Sequence, residues 1–541
     1  MKDTFAIKIS GPAGTGIMQA GETFSKALNR LGFYTLVYPE YPSQIRGGDN
    51  NIQIVFSSQP VGAPQEKIDL LLAFNESCLT NHKNEVKKTG LVFDFAKLGI
   101  EVERELVKNS AGLGFLWKVF GFPLAILQEQ LRQDFKDQKI FELNKKAVEM
   151  GFNKSERQRQ SWELPKREKI FNLTGNEALV KGILAVGSGF AAIYPMTPIN
   201  SILSLLSKEK EVIIFRPEDE IAGIMAAIGA SYAGKRAMVA TSGGGFSLMV
   251  EGLGMAGMAE IPIVIVLGQR TGPSTGIATY SSQADLKFAI SAGQGEFPRI
   301  VLAPGDVAEC LKLGAEAFSL AEEYQVPVIL MTDKYLAESR FTETETEIET
   351  ETEINRGKLL NYNNKNYCRY QLTLDGISPR AFPGQIAFLT NSYEHDERGF
   401  SIDGAETRKR MMEKRMRKLE KLSGGFEVYP QTEIETEEEW NKKTILVSWG
   451  STKGVLLDFI KEHSDYNLVH FWRVWPFPKE AVQILNKAKK VIVVENNFSG
   501  QMADLIKTEI EKEIEIKKVL KDDGRPFFRE EVAKLIGNCK K

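Results

Sequence analysis

A chain of 541 residues is too long for one hydrophobic core and divides into two to four domains. Lys and Arg total 69 against 71 Asp and Glu, and the net charge of −2 leaves no basic field for nucleic acid. The start, Met-Lys-Asp-Thr-Phe-Ala-Ile-Lys-Ile-Ser, alternates as a strand rather than as a signal peptide. No uncharged apolar run is long enough to span a bilayer, so a soluble, cytoplasmic protein is expected.

Residues 5–10 read as a strand that runs into Gly11-Pro-Ala-Gly14-Thr-Gly16-Ile-Met and a helix over 19–31. A strand, a Gly-rich turn and a helix N-terminus can present bare backbone N–H groups to an anion. The spacing fits neither a Walker loop nor the dinucleotide fingerprint, and a tight turn with no ligand is an equal reading. Strands follow at 34–38, 51–56 and 70–74, with the polar loop Pro39–Asp49 between the first two. Lys-rich helical sequence around 116–150 closes this α/β domain, and 158–168 reads as a linker.

A second α/β unit begins near Thr174, with a helix from Glu177 to Gly187. The strand Ala191-Ala-Ile ends in Tyr194-Pro195-Met196-Thr197-Pro198, where the flanking prolines hold Thr197 extended or in a turn. Arg216-Pro-Glu218-Asp219-Glu220 follows, and then a Gly- and Ala-rich apolar stretch expected to be a helix buried on every side. Acids at a helix start are favoured by the helix dipole, and all three acids could simply be solvated. Alternatively Glu220, at the mouth of a buried helix, is paired, hydrogen-bonded or employed in chemistry. The strand 237–241 leads to Ser242-Gly-Gly-Gly-Phe-Ser247, and the strand 261–267 leads to Gly268-Gln-Arg270-Thr-Gly-Pro-Ser-Thr-Gly276. These loops follow the C-terminal ends of strands, where doubly wound sheets bind ligands.

The Thr/Glu tract from Phe341 to Asn355 carries one sign of charge and reads as a solvated linker or edge. In a third α/β unit, the basic helix Glu406–Leu422 is followed by the acidic run 433–439 and reads as solvated rather than as a nucleic-acid patch. Strands are expected at 444–449, 467–471 and 490–495. Across the chain, Cys78, Cys310, Cys368 and Cys539 form no Cys-x-x-Cys pair. The four histidines form no ligand-spaced set, so neither a metal nor an iron–sulfur site is expected on this chain.

Jointly, several of these stretches resemble the α subunit of the 2-oxoacid:ferredoxin oxidoreductases. They are Tyr194-Pro-Met-Thr197-Pro, the acids before the small-residue helix, Thr241-Ser-Gly-Gly-Gly-Phe-Ser and Gln269-Arg-Thr-Gly-Pro-Ser-Thr-Gly. Asn391-Ser-Tyr-Glu-His395-Asp-Glu, Trp475-Pro-Phe-Pro, Val493-Val-Glu-Asn-Asn-Phe-Ser-Gly-Gln501 and Asp523-Gly-Arg-Pro-Phe527 continue the resemblance. The Glu-His-Asp-Glu and Asp-Gly-Arg-Pro-Phe pieces are most similar to the 2-oxoglutarate branch. Met196, Ile199-Asn200 and Gly244 depart from the usual residues. The resemblance implies three α/β domains: a fused γ-type domain (1–160), a doubly wound thiamine-diphosphate pyrimidine-binding domain (171–340) and a transketolase C-terminal-like domain (356–541).

The same resemblance implies oxidative decarboxylation of a 2-oxoacid, 2-oxoglutarate in first place, to acyl-CoA, with electrons passed to ferredoxin. Glu220 falls on the carboxylate that hydrogen-bonds the thiamine aminopyrimidine. Thr197, with Pro195, falls on the loop contacting thiamine and substrate, and Arg270 on the residue holding the 2-oxoacid carboxylate. A structural ion pair is the competing reading of Arg270. Mg2+ and a [4Fe-4S] cluster are implied on a β subunit, consistent with the few cysteines here. Gly11, Gly14, Gly16, Ser43 and Arg46 are implied candidates for CoA. The alternatives are pyruvate or a branched-chain 2-oxoacid as substrate, or a non-catalytic regulatory or assembly subunit of the same fold.

Overall fold

The computed structural model describes residues 4–42, 48–156, 162, 164–165, 170–344, 355–360, 366–430 and 443–539. Ser43, Arg46, most of the expected linker at 158–168, the acidic run 433–439 and the Thr/Glu tract from 345 to 354 lie outside them. The described residues fall into two units. One gathers the chain up to Thr174, the strand Arg340–Thr344 and the C-terminal helix Arg529–Asn538. The other holds Gly175–Ala337 and the described residues from Asn355 to Pro526.

The first unit is built on a seven-stranded mixed sheet in the order Val86–Asp94, Ile68–Ala73, Thr4–Pro12, Asp49–Ser57, Tyr34–Glu40, Arg340–Thr344, Ile170–Thr174. The run Ile-Asp-Leu-Leu-Leu-Ala is buried along its whole length, as an interior strand covered on both faces requires. The helices Lys108–Val119 and Gln138–Lys154 meet at backbone distance, because Gly114 faces the Val148 carbonyl and Gly151 the Ala111 carbonyl with no side chain between. Phe24, Phe56, Trp117 and Phe120 fill the core, Phe24 and Trp117 edge to face with centroids 5.3 Å apart.

The expectation of a solvated linker or edge from Phe341 is corrected at its start. Phe341 to Thr344 belong to a strand paired with Tyr34–Glu40 on one side and Ile170–Thr174 on the other. The Thr342 hydroxyl bonds Thr35 Oγ1 (3.0 Å) and accepts from Asn29 Nδ2 (2.8 Å), so its polar atom is satisfied inside the sheet.

The second unit carries two sheets. One is seven-stranded, in the order Arg473–Trp475, Ile300–Leu302, Pro327–Asp333, Ile263–Gln269, Ala237–Ser242, Phe190–Ile193, Ile213–Phe215. All neighbours in it are parallel except the first pair. The other is five-stranded and parallel apart from its edge strand Phe426–Tyr429. The fold is mixed α/β in both units.

Two helices differ from the sequence-based expectation. Glu220–Tyr232 is not buried on every side: Gly223, Ile224, Ala227 and Ile228 pack inward, while Ile221 and Met225 are 51% and 37% exposed. The basic helix, observed as Ala405–Arg417, is solvated on one side only. Lys414 and Arg415 are buried on it, and Lys418 just beyond is buried too. Pairing makes this tolerable, because Lys414 and Lys418 meet Glu260 at 2.7 Å and Arg415 forks Glu394. Among the described residues no helix is long and apolar enough to cross a membrane.

Candidate active site

Four adjacent parallel strands of the seven-stranded sheet, Ile263–Gln269, Ala237–Ser242, Phe190–Ile193 and Ile213–Phe215, end on one edge. From that edge leave the Arg270 loop, the helix Gly243–Met258, the loop Tyr194–Pro198 and the acidic loop before Glu220. Parallel register therefore collects residues far apart in sequence at the C-terminal edge of the sheet.

The three acids have different environments. Glu218 is exposed. Asp219 is the helix N-cap, its Oδ1 accepting the Ala222 N–H at 2.8 Å. Glu220, the first residue of the helix, is 5% exposed, and among the described residues its buried Oε1 has no hydrogen-bond partner. Gly245 makes room for that oxygen: a Cβ there would lie 2.5 Å from Glu220 Oε1 and in collision with Thr241 Oγ1. A buried carboxylate oxygen without a donor costs more than a conventional helix start would. An N–H group of a bound ring, presented at this point, would satisfy it.

Thr197 and Arg270 meet, Arg270 Nη1 donating to the Thr197 carbonyl at 3.0 Å. The loop carrying Thr197 is held from three further sides. Asn176 Nδ2 donates to the Pro198 carbonyl (2.9 Å), Ser242 Oγ donates to Met196 Sδ (2.9 Å), and Gly268 lets Pro198 and Ile199 lie directly on the sheet. Pro195 is exposed beside them. Next to Arg270 opens a cleft of about 500 Å³ whose lining includes Met196, Gly243, Ser247, Arg270, Asp285 and Phe288. Burial lowers the Arg270 pKa, opposed by the charge of Asp285. Burial pushes the Asp285 carboxyl up to about 6, against the pull of Arg270.

Asp285, Ser242 and Asn176 were not singled out by sequence reasoning. Asp285 stands directly before the short helix Leu286–Ser291, where an Asp reads as an ordinary cap, yet its side chain caps nothing.

In the first unit, Gly14 and Gly16 have φ of +83° and +86° and are exposed, and Gly16 stands before the helix Ile17–Arg30. A Cβ at Gly14 would meet nothing, whereas one at Gly11 would strike Ile17 Cδ1 at 2.6 Å. The turn is closed by Thr15 Oγ1 donating to the Pro12 carbonyl (2.7 Å) and by Asn109 Nδ2 donating to the Thr15 carbonyl. Its rim is therefore open and its base packed.

In the last part of the chain, Glu394, His395 and Glu495 of the quoted motifs are engaged within the fold. Glu394 binds Arg408 and Arg415, and His395 is fully buried with its ring on Tyr370 (centroids 3.9 Å). Glu495 accepts the Met502 and Ala503 N–H groups at 2.8 and 3.0 Å.

Residues 181–414 match the family model described as pyruvate flavodoxin/ferredoxin oxidoreductase, thiamine diP-binding. Residues 6–94 and 91–154 match pyruvate ferredoxin/flavodoxin oxidoreductase. The chain is similar to a 2-oxoacid:ferredoxin oxidoreductase subunit alpha of Sulfolobus sp, with 33% identity covering 98% of this chain and 96% of that one. It is also similar to the 2-oxoglutarate oxidoreductase subunit KorA of Mycobacterium tuberculosis, with 26% identity covering 99% and 91%. A solved structure, 2-oxoglutarate:ferredoxin oxidoreductase from Magnetococcus marinus with 2-oxoglutarate, coenzyme A and succinyl-CoA bound, superposes with a TM-score of 0.89. It shares 29% identity, covering 99% of this chain and 100% of that one.

Proposed function

Because the chain belongs to the 2-oxoacid:ferredoxin oxidoreductase α subunits, we propose that it carries half of a thiamine-dependent active site. That site converts a 2-oxoacid and CoA to acyl-CoA and CO2 and passes the electrons to ferredoxin. The observation that carries this reading is the partnerless, buried Oε1 of Glu220 beside the Thr197–Arg270 pair. Thiamine diphosphate, when bound, supplies the nucleophilic carbon and the electron sink for decarboxylation. Glu220 has the burial and the free acceptor to hold a proton at the aminopyrimidine ring nitrogen, shielded from water. Thr197 and Pro195 flank the ring and substrate, and the Arg270 guanidinium holds the 2-oxoacid carboxylate as a planar fork.

A separate β subunit completes the site and brings the Mg2+ and the [4Fe-4S] cluster. Among the described residues no cluster of His, Cys, Asp and Glu could hold a metal. Ile213, Phe215, Ile221, Met225 and Leu248 are exposed apolar residues on the strand and helices of this domain that such a subunit would cover. Three domains divide the work: residues 1–160 for CoA, with the open rim at Gly14 and Gly16 as the contact surface and Gly11, Ser43 and Arg46 as further candidates; 171–340 for thiamine; and 356–541 as the third, whose helix Arg529–Asn538 belongs to the first unit. The assembly works in the cytoplasm.

2-Oxoglutarate is the favoured substrate, supported by the relatives and the solved structure named for it. Pyruvate or a branched 2-oxoacid is the second reading, favoured by the apolar Met196 and Phe288 on the cleft. The test is viologen or ferredoxin reduction with CoA by the chain alone and with its β subunit, across a panel of 2-oxoacids. Activity in the mixture alone, highest on 2-oxoglutarate, is expected; activity of the isolated chain contradicts the shared site.

A further inference from the structure

Among the described residues lining the cleft, Asp285 is the one acid, and the proposed chemistry gives it no task. It lies over the first residue of the helix Gly243–Met258: a Cβ on Gly243 would be 2.8 Å from its Oδ2 and 3.1 Å from its Oδ1. Its backbone N–H donates to Gln269 Oε1 at 3.1 Å, which fixes the residue next to Arg270. Its carboxylate makes no capping bond to the helix Leu286–Ser291 and lines the cleft.

The charged surroundings are sparse. Arg270 is the only cation lining the cleft among the described residues. The loops Gly272–Thr275 and Tyr194–Pro198 bring hydroxyl and apolar groups, and the start of the helix Gly243–Met258 brings Gly243 and Ser247. On its own helix, Lys287 is engaged by Asp504 of the helix Gln501–Glu509 at 2.7 Å. Glu220 abuts Gly245, two residues along the helix from the Gly243–Asp285 contact.

We propose that the Asp285 carboxyl is the second half of the clamp on the substrate's carboxylate, taking up a proton from solvent as the 2-oxoacid binds between it and Arg270. The inference rests on the cleft being the 2-oxoacid site. A carboxylate drawn in by Arg270 puts a second anion beside Asp285 in a poorly hydrated space, where two carboxylates share one proton more cheaply than both ionise. Burial has already raised Asp285 to about 6, and the second anion raises it further, well past neutrality, so that it is neutral in the complex at pH 7. No covalent bond changes: a proton moves from water to Asp285, and the resulting O–H donates to the bound carboxylate.

The test is isothermal titration calorimetry of 2-oxoglutarate, and separately pyruvate, into the chain with its β subunit. Titrations at pH 7 in buffers of different ionisation enthalpy read the protons taken up per acid bound. Uptake of about one proton is expected in the wild type, with KM rising roughly tenfold per pH unit above neutrality and kcat flat. In D285N uptake falls to near zero and the KM profile flattens, while D285E retains both. Binding without proton uptake in the wild type, or unchanged uptake in D285N, overturns the role of Asp285 and leaves the proposed function standing. No binding of either acid overturns both.

Discussion

At the residue scale the site is decided by two contacts. The first is Gly245 against Glu220. A methyl group there meets Glu220 Oε1 and Thr241 Oγ1, so Gly245→Ala is expected to cost about 1–3 kcal/mol in denaturant unfolding and to displace the carboxylate. The second is Arg270 on the Thr197 carbonyl. Arg270→Lys keeps the charge but loses the fork, and a loss of about 1.5–3 kcal/mol appears as a KM for the 2-oxoacid raised roughly 10–100-fold. The burial of Glu220 was legible in the sequence from the small-residue stretch it opens, beside the competing reading of a solvated helix start. Asp285 was not, because an Asp before a short helix has a common one, and only the folded chain shows that its side chain caps nothing.

At the element scale, composition misled twice, for physical reasons. Ile-Ala-Gly-Ile-Met-Ala-Ala-Ile has no polar periodicity to mark an outer face. The Gly252–Ile224 and Gly245–Glu220 contacts choose which side packs inward. The Lys- and Arg-rich helix reads as solvated until Glu260, 154 residues earlier and in no local pattern, is found beneath it. Burial raises the Glu260 pKa, but Lys414, Lys418 and Arg369 outweigh it and hold the carboxyl well below its usual range. Removing that acid strands buried cations, so Glu260→Gln is expected to destabilise the chain by about 3–5 kcal/mol in chemical denaturation. Burial lowers Lys418 to about 7, with Glu260 pulling it back up. The unfolded chain, whose lysine titrates near 10.5, therefore binds more protons between about pH 7 and 10.5, and this group's contribution to stability rises with pH across that window. Unfolding free energies measured from pH 7 to 10 should rise less steeply in Lys418→Met than in the wild type.

At the scale of the whole molecule, the class of fold was readable from alternating strands and helices, but its closure was not. Local pattern does not reveal that Arg340–Thr344 completes the N-terminal sheet. Nor does it place Arg529–Asn538 on the first unit, where the Arg529 N–H donates to the Pro64 carbonyl at 3.1 Å and Glu530 accepts the Glu66 N–H at 2.9 Å. Phe527, Val532 and Ile536 are buried there, each worth about 1.5–3 kcal/mol. Deleting residues 527–541 is therefore expected to lower the melting temperature of the first unit, measured by calorimetry.

In the proposed function, Glu220 holds the proton at the thiamine aminopyrimidine. NMR of deuterium exchange at the thiamine C2 position in the α–β complex tests it most directly. Exchange slowed by roughly 10²–10⁴-fold in Glu220→Gln, with thiamine still bound, is the predicted result. Exchange as fast as in the wild type would contradict the account.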